Sequence, residues 1–170
     1  MTLSKEHYLD LFLTGADLPA LRCQQDSREG PGGQDPIFLQ HGGVRAGMAA
    51  WMGLATEPVW RLVDIRWVFP DAAAATRYYE ASMQKNAEGL TEFGSGAMPR
   101  SKSFRGSTVV PPQHQGVLQP QLQYIVLFVH GSVVAKLYVC QGPQSQRKPD
   151  YVQHIMALMD RVGVKIGAPP

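Results

Sequence analysis

The most regular hydrophobic pattern lies between residues 124 and 139, where two runs of β-branched and aromatic residues flank Gly131-Ser132. A two-residue Gly-Ser connection is typical of a type II′ turn, so the pattern predicts a β-hairpin. Pairing His130 with Val133 leaves one face of the hairpin apolar. That face consists of Tyr124, Val126, Phe128, Ala135, Leu137 and Val139. The other face is mixed and consists of Gln123, Ile125, Leu127, Val134, Lys136, Tyr138 and Cys140. A one-residue change in loop length would move Lys136 to the apolar face, which favours the two-residue turn.

Two earlier segments also have strand-like patterns, at residues 44–52 and 59–69. In the second segment, alternation separates two sets of side chains. One set is Val59, Val63, Ile65, Trp67 and Phe69, and the other is Trp60, Leu62, Asp64, Arg66 and Val68. Residues 37–39 predict a short strand. Gly- and Pro-rich composition predicts mobile loops near residues 24–36 and 89–120, with a further strand at residues 101–110 inside the second loop.

Helical periodicity appears at residues 5–13, 71–88 and 150–162. Pro70-Asp71 and Pro149-Asp150 are suitable helix starts, and Gly163 is a suitable end for the last helix. The order of elements lacks the regular strand–helix alternation of a doubly wound parallel sheet. We therefore predict a single α+β domain over residues 1–170, in which an antiparallel sheet carries both long helices on one face.

Composition narrows the function classes further. The chain has 170 residues, 44% of them hydrophobic and 18% charged, with a net charge of +2. This charge gives no reason to expect a nucleic-acid partner. No stretch approaches the roughly 18 apolar residues of a membrane-spanning helix, and the N-terminus has no apolar leader, so we expect a cytoplasmic protein. An exported protein whose leader had been removed would look the same. The two cysteines, Cys23 and Cys140, are expected to be free thiols.

Established catalytic and nucleotide-binding motifs are missing from the sequence. The five histidines are His7, His41, His114, His130 and His154, and no two of them have the spacing of metal ligands. We therefore expect no metal and no cofactor.

The candidate site is the sheet face that the helices would leave open. Asp64 and Arg66 lie about 7 Å apart along one face of the predicted strand, beside large apolar side chains. An exposed ion pair on this face is the simplest interpretation, and a polar anchor in an aromatic-lined cleft is the functional one. The predicted ligand-binding residues are Trp60, Leu62, Asp64, Arg66, Gln123, Ile125, Lys136 and Tyr138.

An apolar patch of this size indicates a ligand or partner site, which suggests a non-enzymatic binding domain. The domain would hold a small apolar molecule or a protein partner between the open sheet face and the 89–120 loop, and a second copy of the chain is a further way to cover the face. The alternative is a cofactor-free enzyme, such as a cyclase or isomerase of secondary metabolism. That enzyme would use a shaped apolar cavity, with Asp64, Tyr138 and His114 as the acid–base candidates.

The segment Phe128-Val-His-Gly-Ser-Val-Val134, followed by a terminal helix, resembles the PsbP-like fold. That fold is shared by oxygen-evolving-complex subunits and by mycobacterial sensor-like lipoproteins of the LpqN type. The opening Leu11-Phe-Leu-Thr-Gly-Ala-Asp-Leu-Pro19 is similar to the start of those lipoprotein domains, although their signal peptide and lipobox cysteine are missing here. The resemblance implies a binding role and supplies no catalytic motif.

Overall fold

Seven strands form one antiparallel sheet in the computed structural model, which describes residues 5–28, 35–54, 56–87, 91–92, 102–109, 120–142 and 150–167. The strands are β1 (Arg22–Asp26), β2 (Arg45–Met52), β3 (Val59–Val68), β4 (Thr91–Glu92), β5 (Lys102–Val109), β6 (Pro120–His130) and β7 (Val133–Gln141). Their order across the sheet is β1-β2-β3-β7-β6-β5-β4. All six neighbouring pairs are antiparallel. The predicted α+β class with an antiparallel sheet is therefore confirmed.

The β6–β7 hairpin has the predicted turn and register. His130 pairs with Val133, and Phe128 pairs with Ala135. Gly131 has a φ of 51°, in the left-handed region that glycine enters without a steric penalty. The turn therefore sets which side chains of both strands face each side of the sheet.

Within the described ranges, four helices accompany the sheet: α1 (Lys5–Asp10), α2 (Pro36–Gln40), α3 (Ala72–Ala87) and α4 (Asp150–Gly167). The Asp71 carboxylate accepts a 2.7 Å hydrogen bond from the Ala74 amide and so caps the start of α3. The strand predicted at residues 37–39 is wrong. These residues belong to α2, because Pro36 occupies its first turn and the Asp35 carboxylate accepts from the Ile37 amide at 3.0 Å.

The helix α4 does not end at Gly163, as predicted, but continues for another turn. Glycine inside a helix costs about 1 kcal/mol relative to alanine. Val162 and Ile166, on either side of Gly163, are buried in the core against the sheet. Their packing offsets the unfavourable glycine, which local sequence signals do not reveal.

The two long helices lie on opposite sides of the sheet, which corrects the prediction that both cover one face. The α3 side holds Tyr78, Tyr79 and Met83 of α3 in one cluster with Ile125 and Leu127 of β6. The other side, called the α4 side, holds Ile155, Met159 and Val162 of α4 in a second cluster. The apolar hairpin face, which includes Val126 and Leu137, belongs to this second cluster. The mixed hairpin face contains enough apolar side chains to bury a helix of its own.

The segments predicted as loops contain strands. β1 occupies part of the predicted loop at residues 24–36, because it pairs with β2. The strand predicted at residues 101–110 is confirmed as β5, and β4 adds a short strand at the outer edge. Other parts of the two predicted loops lie outside the described residues. Across the described ranges, no helix combines the length and the apolar character needed to cross a bilayer.

Replacing Gly131 tests the turn that sets the hairpin register. A β-branched side chain disfavours the φ of 51°, so we expect Gly131→Val to lower the free energy of unfolding by more than about 1 kcal/mol. Gly131→Asn is the matched control, because asparagine tolerates the left-handed region and should cost less. Urea unfolding of the three proteins measures both effects. Equal stability of the valine variant and the parent would contradict the assigned turn geometry.

Candidate functional site

The pairing of β3 with β7 decides which predicted site residues face the same side. Asp64 lies opposite Leu137, and Arg66 lies opposite Ala135, so both face the α4 side. Lys136 and Tyr138 alternate with these partners along β7 and face the α3 side. The predicted grouping of Asp64 with Tyr138 on one face is therefore wrong.

The eight predicted ligand-binding residues separate into two groups. Leu62, Asp64 and Arg66 lie on the α4 side. Gln123, Ile125, Lys136 and Tyr138 lie on the α3 side. Trp60 sits at an irregularity between β3 and β7 and packs with Cys140 and Met52. Of the acid–base candidates, Asp64 and Tyr138 are on opposite sides of the sheet, and His114 lies outside the described residues.

Asp64 and Arg66 form a buried ion pair, which corrects the prediction of a pair on an exposed face. Both side chains are 0% exposed. The Arg66 guanidinium donates to both carboxylate oxygens of Asp64 and, through Nε, to the Leu11 carbonyl at 3.1 Å. The Asp64 carboxylate also accepts from the Leu13 amide at 2.8 Å. Burial raises the pKa of Asp64 and lowers the pKa of Arg66, while the opposite charge of each partner counteracts that effect.

The ion pair holds the N-terminal segment, residues 5–21, against β2 and β3. The Arg66 guanidinium carbon lies over the Phe12 ring, 5.4 Å from the centre of that ring. Tyr8 contacts Phe12 edge to face. Gly47 pairs with Arg66 across the sheet, and a Cβ at this glycine would collide with the Tyr8 hydroxyl. The missing side chain thus lets the segment approach the sheet closely. On the α4 side, β2 and β3 are therefore well covered.

On the α3 side, the same two strands are less well covered. The helix α3 packs over β6 and β7. A set of side chains on β2 and β3 remains half-buried, and we call this set the open strip. It consists of Met48, Ala50, Met52, Arg61, Val63 and Ile65. Five of these six side chains are apolar, so the strip presents a mainly apolar surface beside α3.

A polar cluster lies along the inner edge of the open strip, where β7 meets α3. Lys136 is 8% exposed, and its ammonium group is 4.5 Å from the centre of the Tyr138 ring. Burial and, secondly, the nearby positive charge of Lys85 lower the pKa of Lys136 to about 8, while the negative charge of Asp35 opposes the change. The Asp35 carboxylate in turn accepts a 3.0 Å hydrogen bond from the Tyr78 hydroxyl.

Sequence patterns did not identify three members of this cluster: Asp35, Tyr78 and Lys85. Tyr78 and Lys85 are seven residues apart on α3, a spacing that places both on one face of a helix. With α3 assigned to the correct side of the sheet, that spacing would have placed both side chains over the mixed hairpin face. Asp35 precedes Pro36, and an Asp-Pro pair at a helix start was a detectable signal.

Metal ligands do not converge in the part of the chain that the structure describes, where no group of three His, Cys, Asp or Glu side chains could hold an ion. Both cysteines are free, with Cys23 exposed on β1 and Cys140 buried on β7.

Comparison with known proteins identifies a solved structure with a similar fold. No protein-family model and no curated protein match the sequence. The fold is that of an α+β domain with an antiparallel sheet, and it is similar to a solved domain of mycobacterial origin. That structure is the extracellular domain of PknH from Mycobacterium tuberculosis, with a TM-score of 0.62 and 12% sequence identity. The likeness covers 96% of this chain and 98% of the PknH chain. It shows a related fold, whereas the PsbP-like assignment is not confirmed.

Removing one charge of the buried pair should be strongly destabilising. Asp64→Asn leaves the Arg66 guanidinium buried without its counter-charge, and we expect a loss of about 3–5 kcal/mol in the free energy of unfolding. The double variant Asp64→Asn/Arg66→Gln removes both charges and keeps hydrogen-bonding groups, so it should lose less than the single variant. Urea unfolding of both variants tests this. A double variant less stable than Asp64→Asn would contradict the assigned role of the pair.

The lowered pKa of Lys136 predicts a specific pH dependence of stability. The pKa of Lys136 is about 8 in the folded protein and 10.5 in the unfolded chain. Between these two pH values, the unfolded state binds more protons at this residue than the folded state does. The difference in the free energy of unfolding between the parent protein and Lys136→Met should therefore rise from pH 8 to 10.5. Below about pH 7 this difference should stay constant. Tyrosines away from Lys136 contribute alike in both proteins and cancel, and Tyr138, which contacts Lys136, has a pKa that burial raises, so it stays neutral over the lower part of this range. A constant difference across this range would mean that Lys136 titrates as in water.

Proposed function

We propose that the protein is a non-enzymatic binding domain that takes an amphipathic, anionic small molecule along the open strip. The apolar part of the ligand would lie on side chains such as Met48, Val63 and Ile65. Its anionic group would lie near the ammonium groups of Lys136 and Lys85. The observation that carries the proposal is the unequal coverage of β2 and β3, which are well packed on the α4 side and half-exposed on the α3 side.

The charges along the strip support an anion. Lys136 feels the positive charge of Lys85 more strongly than the negative charge of Asp35. A bound anion would interact favourably with both lysines and would replace part of the hydration that burial removes from Lys136. Binding sites commonly combine apolar walls with a few fixed polar groups, and the Tyr138 ring holds the lysine in place from one side.

The comparison with PknH supports a binding domain in general terms. The PknH domain is extracellular, which supports an exported setting for this proposed role, and the cytoplasmic expectation has no support from the comparisons. The cyclase or isomerase alternative is not supported either. Its acid–base pair is separated by the sheet, because Asp64 faces the α4 side and Tyr138 the α3 side.

Titration with 8-anilinonaphthalene-1-sulfonate, an apolar dye with one negative charge, tests the proposed site. We expect saturable binding at one site, with an affinity at least about tenfold lower in Lys136→Met, on the scale of one charge-assisted contact. Lys5→Met is the matched control, because Lys5 is exposed on α1 and should not affect binding. Anion binding should also raise the pKa of Lys136, which carbon NMR of the labelled lysine measures.

Three results would overturn the proposal: equal dye affinity in Lys136→Met and the parent, an unchanged Lys136 pKa in the complex, or chemical-shift changes confined to the α4 side. Native mass spectrometry of the purified protein adds an independent measurement. A retained acidic small molecule that is lost in Lys136→Met would support the site.

A further inference from the structure

A groove on the α4 side of the molecule has a chemistry different from that of the open strip. It has a volume of about 410 Å³ and lies between residues 17–21, the turn before β3 and the helix α4. Its floor consists of buried apolar side chains, namely Leu18, Leu21, Val59 and Leu158. A concavity of this volume is within the usual range for small-molecule sites.

The walls of the groove are held in place by contacts within the protein. The Asp17 carboxylate accepts hydrogen bonds from the Thr14 amide and hydroxyl, both at 2.8 Å, and lies 3.2 Å from the Lys165 ammonium. Arg161 on α4 donates to the Asp17 carbonyl. On the other wall, the Gly142 amide donates to the Pro58 carbonyl at 3.3 Å. The groove therefore exists before any ligand binds, which lowers the cost of binding.

Two opposite charges stand on different walls of the groove. Glu57 belongs to the turn before β3, and among the described residues its carboxylate has no ion-pair or hydrogen-bond partner. Arg161 belongs to α4, and its guanidinium has further N–H donors beside the one used on Asp17. A ligand with a single charge would complement only one wall. A ligand that carries both charges on one end and an apolar group on the other complements both walls and the floor.

We propose that this groove binds a zwitterionic amino acid with a large apolar side chain. The ammonium group of the ligand would meet the Glu57 carboxylate, its carboxylate would meet the Arg161 guanidinium, and its side chain would lie on the floor between Leu18 and Leu158. This site is separate from the open strip and does not depend on the function proposed for it.

Calorimetric titration of the full chain with three related probes tests the proposal. The probes are L-phenylalanine, N-acetyl-L-phenylalanine without the ammonium group, and L-phenylalaninamide without the carboxylate. We expect phenylalanine to bind and each derivative to bind at least about fivefold more weakly. Glu57→Gln should abolish the preference over the N-acetyl compound, and Arg161→Gln should abolish the preference over the amide.

Two further variants keep the test decisive. Ala157→Phe places a large side chain from α4 into the groove and should prevent binding, even if Arg161→Gln disturbs the contact with Asp17. Lys136→Met should leave phenylalanine binding unchanged, which separates this site from the open strip. Absence of binding up to about 10 mM phenylalanine, a limit weaker than ordinary metabolite sites, would overturn the proposal. Equal affinity for all three probes or unchanged binding to Ala157→Phe would also overturn it.

Discussion

The Asp64–Arg66 ion pair is the interaction on which the arrangement of the molecule depends. Two charges in the middle of β3 are removed from water, and the main-chain groups of Leu11 and Leu13 complete their hydrogen bonding. Such a pair tolerates little displacement, because any gap would leave a charge buried without compensation. It therefore fixes the N-terminal segment on one side of the sheet, and the aromatic rings of Tyr8 and Phe12 pack there as a consequence.

Attachment of this segment makes the two sides of the sheet unequal. On the α4 side, the segment and the helix α4 together bury the central strands. On the α3 side, α2 and α3 cover the strands at one end and along β6 and β7, while the open strip stays half-buried. The candidate site is therefore defined by which strands the helices leave uncovered, and not by a sequence motif. The pKa of Lys136, beside the open strip, is lowered first by burial and then by the positive charge of Lys85.

The extent to which sequence predicted this structure differs from element to element for physical reasons. The Gly131-Ser132 turn and the alternation around it determine the β6–β7 register, since both signals are local. Alternation along β3 separates its side chains into two sets, but it does not say which set faces the same side as Lys136. That depends on pairing with β7, some seventy residues away in the chain. The predicted grouping of the site residues on one face is wrong at this step, because a polar residue such as Asp64 is typical of an exposed face.

The strand order has a consequence for how the chain folds. β1, β2 and β3 pair in sequence, as do β4, β5, β6 and β7, and the two sequential meanders meet only where β3 pairs with β7. Each meander can form through contacts that are close in the chain, whereas their junction requires closure of a long loop. The buried charges of β3 lie directly on that junction, opposite Ala135 and Leu137. A shifted register at this junction would move both charges away from these positions, and a buried charge without its partners is costly, so the ion pair also favours the correct pairing of the two meanders.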